Sequence, residues 1–220
     1  MTKISAFENY ADTEIIAKIL AGETRLYELL IRRNNPFLYR VGRSYNYSHH
    51  DTEDLMQETY VSAFYSLSDF QGKSSFKTWI TRIMLNKCYH KKQKHSYKKE
   101  TVAEDLILEK NKTMFDNPSN TDKNIINKEL SHVLEKALES IPDEYRMVFT
   151  LRELNGLSTS ETGELMSITE SNVKVRLNRA KSMLRTFIVS QYSAEDIYEF
   201  NLVYCNRIVE NVMSRINSSQ

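Results

Sequence analysis

Apolar residues recur at helical spacing along most of the chain. The segment 12–22 carries isoleucines on one stripe, begins with acidic residues and ends at Gly22. The same three-to-four spacing continues through residues 26–41, 51–67 and 76–99. We find no internal repeat and no reliable strand-like alternation. The pattern therefore predicts helices throughout this part of the chain.

A polar segment then interrupts the pattern and predicts a linker at residues 98–122. A second amphipathic unit begins near Lys123. Within it, Pro142 stands at the first position of a predicted helix, and Asn155-Gly156 closes that helix. We predict four parts: a helical domain at 8–97, the linker, a second helical domain at 123–190 and a helical extension at 191–220.

The second domain contains the outline of a helix-turn-helix. Ser158 and Glu161 have the spacing of a capping box for a short helix that ends near Met166. Thr169 is positioned to cap a second helix that runs to about Phe187. Two helices joined by a tight turn, the second of them basic, are typical of this DNA-binding motif.

The extension begins with a cap-like Ser193 and continues as an apolar stripe of helical spacing. The stripe consists of Cys205, Ile208, Val209, Val212, Met213 and Ile216. An isolated helix of this length is marginal in water, so we expect the stripe to pack against the second domain or against a protein partner.

Composition supports a helical intracellular protein. The 220 residues carry a net charge of +1, with 40% hydrophobic and 27% charged residues, which is ordinary for a globular chain. Five glycines and three prolines are few for a β-rich fold. Two distant cysteines fit a reducing compartment. No signal peptide or long apolar run is present, so we expect a cytoplasmic protein without membrane insertion.

Positive charge is concentrated in two segments, 171–185 and 82–99. Cations on a helix suit phosphate contacts, and Tyr89 and Tyr97 beside lysines suit unstacked bases. The alternative is a solvated helix face, which has similar weight for a lone basic helix. For Trp79 we favour a place in the core.

The segment 51–58 is the acidic counterpart. Asp51, Glu53, Asp54 and Glu58 cluster on one predicted helix, which favours a protein partner over nucleic acid. The alternative is helix capping by Asp51 or Thr52, together with solubility.

The sequence has few motifs that are typical of catalysis, cofactor binding or metal binding. The chain has no phosphate-binding glycine loop, metalloprotease helix or paired-cysteine motif, so we predict no enzyme activity, no catalytic residue and no cofactor. His49, His50 and Asp51, like Cys88, His90 and His95, lack a familiar metal-ligand spacing, and we predict no metal site.

In this arrangement the chain resembles the extracytoplasmic function (ECF) group of bacterial sigma factors. The resemblance is carried by "DTEDLMQETYVSAFYSL", "FKTWITRIMLNKC" and "ALESIPDEYRMVFTLRELNGLSTSETGELMSITESNVKVRLNRAKSMLR", in this order. It implies an all-α protein with a promoter-melting domain and a helix-turn-helix domain that reads the −35 element. It also implies core RNA polymerase, promoter DNA and an anti-sigma factor as partners. An anti-sigma factor then becomes the protein partner that would cover the C-terminal stripe.

The resemblance assigns three sets of residues. Core polymerase would contact Asp51, Asp54, Gln57 and Glu58. The −10 element would be held by Asp69, Phe70, Gln71, Gly72, Lys73, Ser74, Ser75, Asn86, Lys87 and Lys91. The −35 element would be read by Ser171, Asn172, Lys174, Arg176 and Arg179. Flipping a base costs a few kcal/mol, which a pocket and a cationic groove must offset.

Three positions depart from the family pattern. His90 replaces a common Asp, which leaves the −10 preference open. Ser167 stands in the turn where Gly is frequent, and so must accept the turn geometry. Gly163 replaces the usual Ala, at a helix-propensity cost of up to about 1 kcal/mol.

Two other functions compete with a sigma factor. A transcriptional regulator could use the same helix pair, but it would need a receiver or ligand-binding domain that residues 12–94 do not resemble. An RNA-binding protein could use the lysine-rich segment, but it leaves the acidic helix and the helix-turn-helix unexplained.

Overall fold

The computed structural model describes residues 7–101, 133–191 and 202–217, with side chains for 7–94, 133–190 and 206–216. The part of the predicted linker beyond Thr101, and the cap at Ser193, lie outside the described residues. Within the described residues the α-helices are α1 Asp12–Leu20, α2 Tyr27–Arg43, α3 His49–Tyr65, α4 Phe76–Thr101, α5 Asp143–Phe149, α6 Thr159–Met166, α7 Glu170–Gln191 and α8 Leu202–Asn217. Residues 133–139 are also helical, and the described chain contains no strand.

Local caps explain several helix starts. The predicted capping box is confirmed in α6, where the Ser158 hydroxyl accepts from the Glu161 amide at 3.1 Å and Glu161 accepts from the Ser158 amide at 2.8 Å. Thr169 caps α7, since its hydroxyl accepts from the Asn172 amide at 3.2 Å. That helix continues beyond the predicted end at Phe187 to Gln191.

Two other predicted starts are wrong. Helix α3 begins earlier than expected, because Ser48 is its cap and accepts from the Asp51 amide at 3.0 Å. Thr52 is fully buried inside the helix, so it cannot act as a cap. Pro142 is the residue before α5 and not its first residue, because its ψ of 143° is extended.

The first lobe is a bundle of α1 to α4. Its core is built from the apolar faces of these helices, including Ile15, Leu30, Leu38 and Met84. Gly42 allows α2 to approach α3, because a Cβ at this position would lie 2.5 Å from the Thr52 methyl group. Trp79 is partly buried against the same core, as the sequence predicted.

The second lobe, residues 133–184, is organised around Arg146. This side chain is only 2% exposed, and its guanidinium donates to the carbonyls of Leu138, Glu139 and Ile141 at 3.0–3.2 Å. It also pairs with Asp143. Burial lowers the pKa of Arg146, and the carboxylate of Asp143 opposes that shift. The arginine thereby satisfies backbone groups at the turn before α5.

A π-helix, Thr150–Leu154, follows α5 and ends where the Asn155 amide donates to the Thr150 carbonyl at 2.9 Å. Gly156, with φ of +68°, then reverses the chain. The predicted closure at Asn155-Gly156 is thus confirmed, but the widened turn before it has no signal in the sequence pattern.

The two lobes pack against each other. Met147, Leu151 and Leu157 of the second lobe belong to the same apolar cluster as the core of the first lobe. The Arg146 Nε donates to the Ser44 carbonyl at 2.7 Å across this contact. The described residues up to Leu184 accordingly form one compact unit, and those from Arg185 form another.

The C-terminal unit includes α8, which is amphipathic. Its apolar side chains are about half exposed, with values of 48–54% at Ile208, Val209, Val212, Met213 and Ile216. That they pack against another surface stays a prediction. None of the described helices is long and apolar enough to cross a membrane.

Candidate protein and nucleic-acid interfaces

The acidic residues predicted for protein binding lie on the outer face of α3. Asp54, Gln57 and Glu58 are exposed, and they share one side of the helix because of their three-to-four spacing. His50 pairs with Asp54 at 3.1 Å, and His49 with Glu53 at 3.0 Å, each one turn apart. The face is therefore polar, accessible and ordered by local pairs.

Asp51 has a different environment from Asp54 and Gln57. Its carboxylate accepts from the Ser48 hydroxyl at 2.8 Å and forms an ion pair with Lys91 of α4. Asp51 is therefore not the cap of α3; it lies in the first turn and binds the hydroxyl of the cap, Ser48. Glu58 likewise pairs with Lys87 of α4, at 3.6 Å.

The pairs at Asp51 and Glu58 join two predicted sites. The resemblance assigns Lys87 and Lys91 to DNA and assigns Asp51 and Glu58 to polymerase, and each lysine pairs with one of these acids. Lys91 also lies over the Tyr47 ring, 5.4 Å from its centroid. In this structure, cations of one predicted site are thus neutralised by acids of the other.

The loop before α4 is the second predicted DNA segment. Most of its residues are exposed, namely Asp69, Gln71, Gly72, Lys73 and Ser75. Phe70 is half-buried, because its ring packs edge-on against Phe76 at 5.9 Å and Trp79 at 5.5 Å. Gly72 has φ of +68°, which a glycine adopts without strain. On α4 itself, Asn86 is exposed.

The loop ends in a cap that reaches the second lobe. The Ser75 hydroxyl accepts from the Thr78 amide at 3.1 Å and contacts the Thr78 hydroxyl at 2.8 Å. Thr78 in turn donates to Glu161 of α6 at 2.7 Å. Hydrogen bonds from Ser158 and Thr78 lower the pKa of Glu161, the Ser158 backbone contributing most. The capping groups of α4 and α6 therefore share one network.

Helices α6 and α7 form the helix-turn-helix. Ser167 ends α6 in the left-handed conformation, with φ of 54° and ψ of 42°. Gly163 lies beneath this turn, and a Cβ there would be 2.8 Å from the Ile168 carbonyl oxygen. The glycine thus permits a close approach of the turn, a reason that helix propensity alone does not reveal.

The residues predicted to read DNA lie along the first turns of α7. Ser171, Asn172, Lys174 and Arg179 are exposed. Arg176 is partly covered, because it pairs with Glu144 of α5 at 3.0 Å and its Nε donates to Asn172 at 3.1 Å. Arg179 donates to the Tyr145 hydroxyl at 3.2 Å. Two of the predicted cations are thus held in position by α5.

Sequence reasoning missed the residues that join the lobes. Asn155 is 3% exposed, and its side-chain oxygen accepts from Arg40 Nε at 2.7 Å while its amide donates to the Phe37 carbonyl at 3.2 Å. Lys77 donates to the Asn155 backbone carbonyl at 3.0 Å. The only available signal was the Asn-Gly pair, which we interpret from the sequence as the end of a helix.

Further polar contacts join the lobes at their margins. Arg82 pairs with Glu164 at 2.5 Å, and Arg43 pairs with Glu135 at 2.5 Å. Within the part of the chain that the structure describes, no group of three acidic, histidine or cysteine residues could hold a metal ion. Cys88 is buried, and this burial raises the pKa of its thiol to about 12.

Two family models match the chain. Residues 30–97 match Sigma-70 region 2, and residues 131–184 match Sigma-70 region 4. Together these matches cover more than half of the chain and fall on the two lobes. A chain with this pair of regions is a sigma-type transcription initiation factor. It belongs to the ECF group of RNA polymerase sigma factors.

Curated relatives agree with this assignment. The ECF RNA polymerase sigma-E factor of Haemophilus influenzae is 27% identical over 184 residues, which cover 82% of this chain and 97% of the relative. That of Escherichia coli K12 is 27% identical over 183 residues, covering 80% and 94% of the two chains.

Solved structures share the fold. CnrH, determined in complex with the cytosolic domain of CnrY, aligns with a TM-score of 0.60 and 23% identity over 82% of this chain and 99% of that chain. The sigma factor RpoE of Bartonella quintana, determined with the anti-sigma factor NepR, aligns with a TM-score of 0.61 and 20% identity over 76% and 96%.

Proposed function

We propose that α3 docks this sigma factor on core RNA polymerase, through Asp51, Asp54, Gln57 and Glu58. The support is an exposed acidic face whose side chains lie on one side of a well-packed helix. By resemblance to the family, the partner is the clamp-helix pair of the largest subunit. Core binding must compete with the Lys91 and Lys87 ion pairs at the two ends of the set.

We further propose that the loop 69–75 and α4 hold the non-template strand of the −10 element. The exposed loop offers a site for a flipped base, and Asn86, Lys87 and Lys91 follow along α4 toward the strand. Release of the two lysines from Glu58 and Asp51 would add positive charge to this groove.

The third site in the proposal is α7, which reads the −35 element in the major groove. Ser171 and Asn172 lie at its start, where helix-turn-helix proteins contact base edges. Lys174, Arg176 and Arg179 supply positive charge for phosphate and base contacts. The α5 partners Glu144 and Tyr145 would orient two of these cations.

We also propose the domain boundaries, the cellular location and the regulation that membership of this family suggests. We place the promoter-melting domain at 8–97, the linker at 98–122, the −35 domain at 123–190 and the extension at 191–220. The chain acts in the cytoplasm as a non-enzymatic subunit, and polymerase supplies the catalytic site. Relatives of this fold were solved with CnrY and NepR, and we propose that an anti-sigma factor also restrains this chain.

One observation carries the proposal: an exposed acidic helix, a loop with a basic helix, and a capped helix-turn-helix occur in this order in one chain. Run-off transcription with purified core polymerase and a promoter library tests it. The expected result is a promoter-specific transcript that depends on this protein. Absence of both a transcript and a complex with core would reject the function.

Paired variants separate the two interfaces. Arg176→Ala should weaken −35-dependent initiation about tenfold, as for the loss of one base or phosphate contact, with core affinity retained. Lys181→Ala is a matched control on the same helix, because Lys181 pairs with Glu153 at 2.9 Å and is outside the proposed reading set. Asp54→Ala with Gln57→Ala should instead lower core affinity and leave −35 DNA binding unchanged. Equal losses of both activities in either variant would indicate misfolding.

A further inference from the structure

We propose that the docking face of α3 continues past its acidic residues into an apolar anchor site, formed by Val61 and Tyr65 beside a hollow. The anchor site would receive an apolar side chain from a basic helix of core RNA polymerase. This inference rests on the proposed function, which places polymerase on α3.

Helix geometry aligns the anchor site with the docking residues. Gln57, Val61 and Tyr65 follow one another at intervals of four, so they share a side of α3 with Asp54. Val61 is 57% exposed and Tyr65 is 81% exposed. The exposed stripe of α3 thus changes from acidic in its first half to apolar in its last two turns.

The two exposed side chains border a hollow of about 300 Å³. Its lining is almost entirely aromatic or aliphatic, and consists of Tyr27, Ile31, Tyr60, Val61, Phe64 and Tyr65. This volume is at the lower end for small-molecule pockets, and it suits one or two side chains of a protein partner. Isolated exposed apolar residues are common. Here two of them, Val61 and Tyr65, adjoin an apolar hollow on the side of α3 that also carries Asp54.

The floor of the hollow is held rigid by its own hydrogen bonds. The Tyr27 hydroxyl donates to the Tyr60 carbonyl at 2.7 Å, and the Tyr60 hydroxyl donates to the Ile31 carbonyl at 3.1 Å. The Tyr27 and Phe64 rings meet edge-on at 5.1 Å. Because these hydroxyls are bound to backbone, the rings present apolar surface without an unsatisfied polar group, and little ordering is needed on binding.

The charges on α3 and their distance from the anchor site indicate what kind of partner the site would bind. From Asp54 to Tyr65 the stripe rises roughly 16 Å along α3, which is about three helical turns. A partner helix of that length would place Lys or Arg against Asp54 and Glu58 and an apolar side chain against the hollow. An aromatic anchor beside a charged margin is the arrangement that dominates binding energy at interfaces.

The test is the affinity of the full-length protein for core polymerase, measured by competition with a fluorescent wild-type sigma. Tyr65→Ala should weaken binding at least tenfold, and Val61→Ala about threefold, as expected for an aromatic and an aliphatic anchor. Tyr65→Phe should retain wild-type affinity, because the ring and not the hydroxyl fills the site. Raising the salt concentration should weaken wild type and Tyr65→Ala in parallel, since the lost contact is apolar.

Leu20→Ala and Val189→Ala are the matched controls, since these residues are 55% and 66% exposed on other helices. Both should bind core as wild type does, and all variants should unfold at the wild-type temperature. Wild-type affinity in both Tyr65→Ala and Val61→Ala would overturn the inference, provided that Asp54→Ala weakens binding. Failure of wild type itself to bind core would instead reject the proposed function.

A second copy of this chain could also occupy the anchor site. Sedimentation velocity of the free protein tests this alternative. We expect the same sedimentation coefficient for wild type and Tyr65→Ala. A wild-type dimer that Tyr65→Ala dissociates, with no change in core affinity, would overturn the polymerase assignment.

Discussion

The outer face of α3 and the first turns of α4 belong to the same helical bundle, yet their surroundings differ. Asp54, Gln57 and Tyr65 of α3 face solvent. On α4, in contrast, Thr78 and Arg82 are bound to α6 of the second lobe. The surface proposed for protein docking is open in this arrangement, whereas an element proposed for DNA binding is partly covered.

The difference has a geometric consequence for promoter binding. The −35 and −10 elements are roughly 25 base pairs apart, or about 80 Å of duplex. The contacts between α4 and α6 are direct hydrogen bonds and ion pairs. If α4 binds one element and the helix-turn-helix the other, as we propose, these contacts must break. Docking of polymerase on α3 does not require the contacts between α4 and α6 to break.

The substitution that should loosen the contact between the lobes most strongly is Asn155→Ala. The substitution removes the hydrogen bonds to Arg40 and to the Phe37 carbonyl, and should weaken the contact between the lobes by about 1–3 kcal/mol. Small-angle X-ray scattering should then give a larger radius of gyration, while core affinity is unchanged.

A double-mutant cycle provides the control. Arg40→Ala alone should weaken the lobe contact, and adding Asn155→Ala should cost less than it does in the wild type, because the two side chains share one bond. An unchanged radius of gyration together with an unchanged unfolding midpoint for Asn155→Ala would contradict the role of this residue.

A smaller effect on stability is expected at Ser167, in the turn between α6 and α7, and at Gly163 beneath it. Ser167→Gly should stabilise the protein by about 1 kcal/mol, because a non-glycine residue in the left-handed region is strained. Gly163→Ala should destabilise it, because the new Cβ would crowd the Ile168 carbonyl oxygen. Urea unfolding measures both free energies.

The same two variants also distinguish DNA binding from core binding. Gly163→Ala must move the turn between α6 and α7, so it should lower affinity for a −35 duplex without changing affinity for core. Gly163→Ala could instead be as stable as wild type and bind the duplex equally well. The close approach of Gly163 to the Ile168 carbonyl would then matter neither for stability nor for DNA binding.

The smallest expected effect is a pH dependence at Glu161. The pKa of this group is lowered in the folded protein, so its contribution is fully present above the ordinary glutamate pKa of about 4.3 and is lost as pH falls below it. Because the group is partly exposed, the contribution is at most about 1 kcal/mol. Stability measured from pH 7 to pH 3 should therefore fall less steeply in Glu161→Gln than in wild type. Identical slopes would show that the network with Ser158 and Thr78 is not coupled to folding.

Much of the secondary structure followed from local sequence. Ser158 with Glu161, Thr169 before α7, and Gly22 after α1 were recognisable because a cap involves residues within about four positions. The division into acidic and basic helices could also be predicted from the sequence. The order of the motifs was sufficient for the family, which the region 2 and region 4 matches confirmed.

What local sequence did not reveal depends on contacts between distant residues. Asp51 had the pattern of a docking acid, but its pairing with Lys91 joins positions 40 residues apart. Asn155 had the pattern of a residue that ends a helix, yet its side chain also binds Arg40 across 115 residues. No periodicity encodes such partners, because they are set by how the helices pack.

The chain alone therefore determined which helices form and which of their faces carry charge, since these depend on spacing and on neighbours within a turn or two. Only the tertiary structure decided which charged faces stay available. Packing of the second lobe on α4 binds Thr78 to Glu161 and Arg82 to Glu164, while Val61 and Tyr65 on α3 remain exposed beside their hollow. Burial is a property of the packed whole, and it cannot be assigned to a residue from its local sequence.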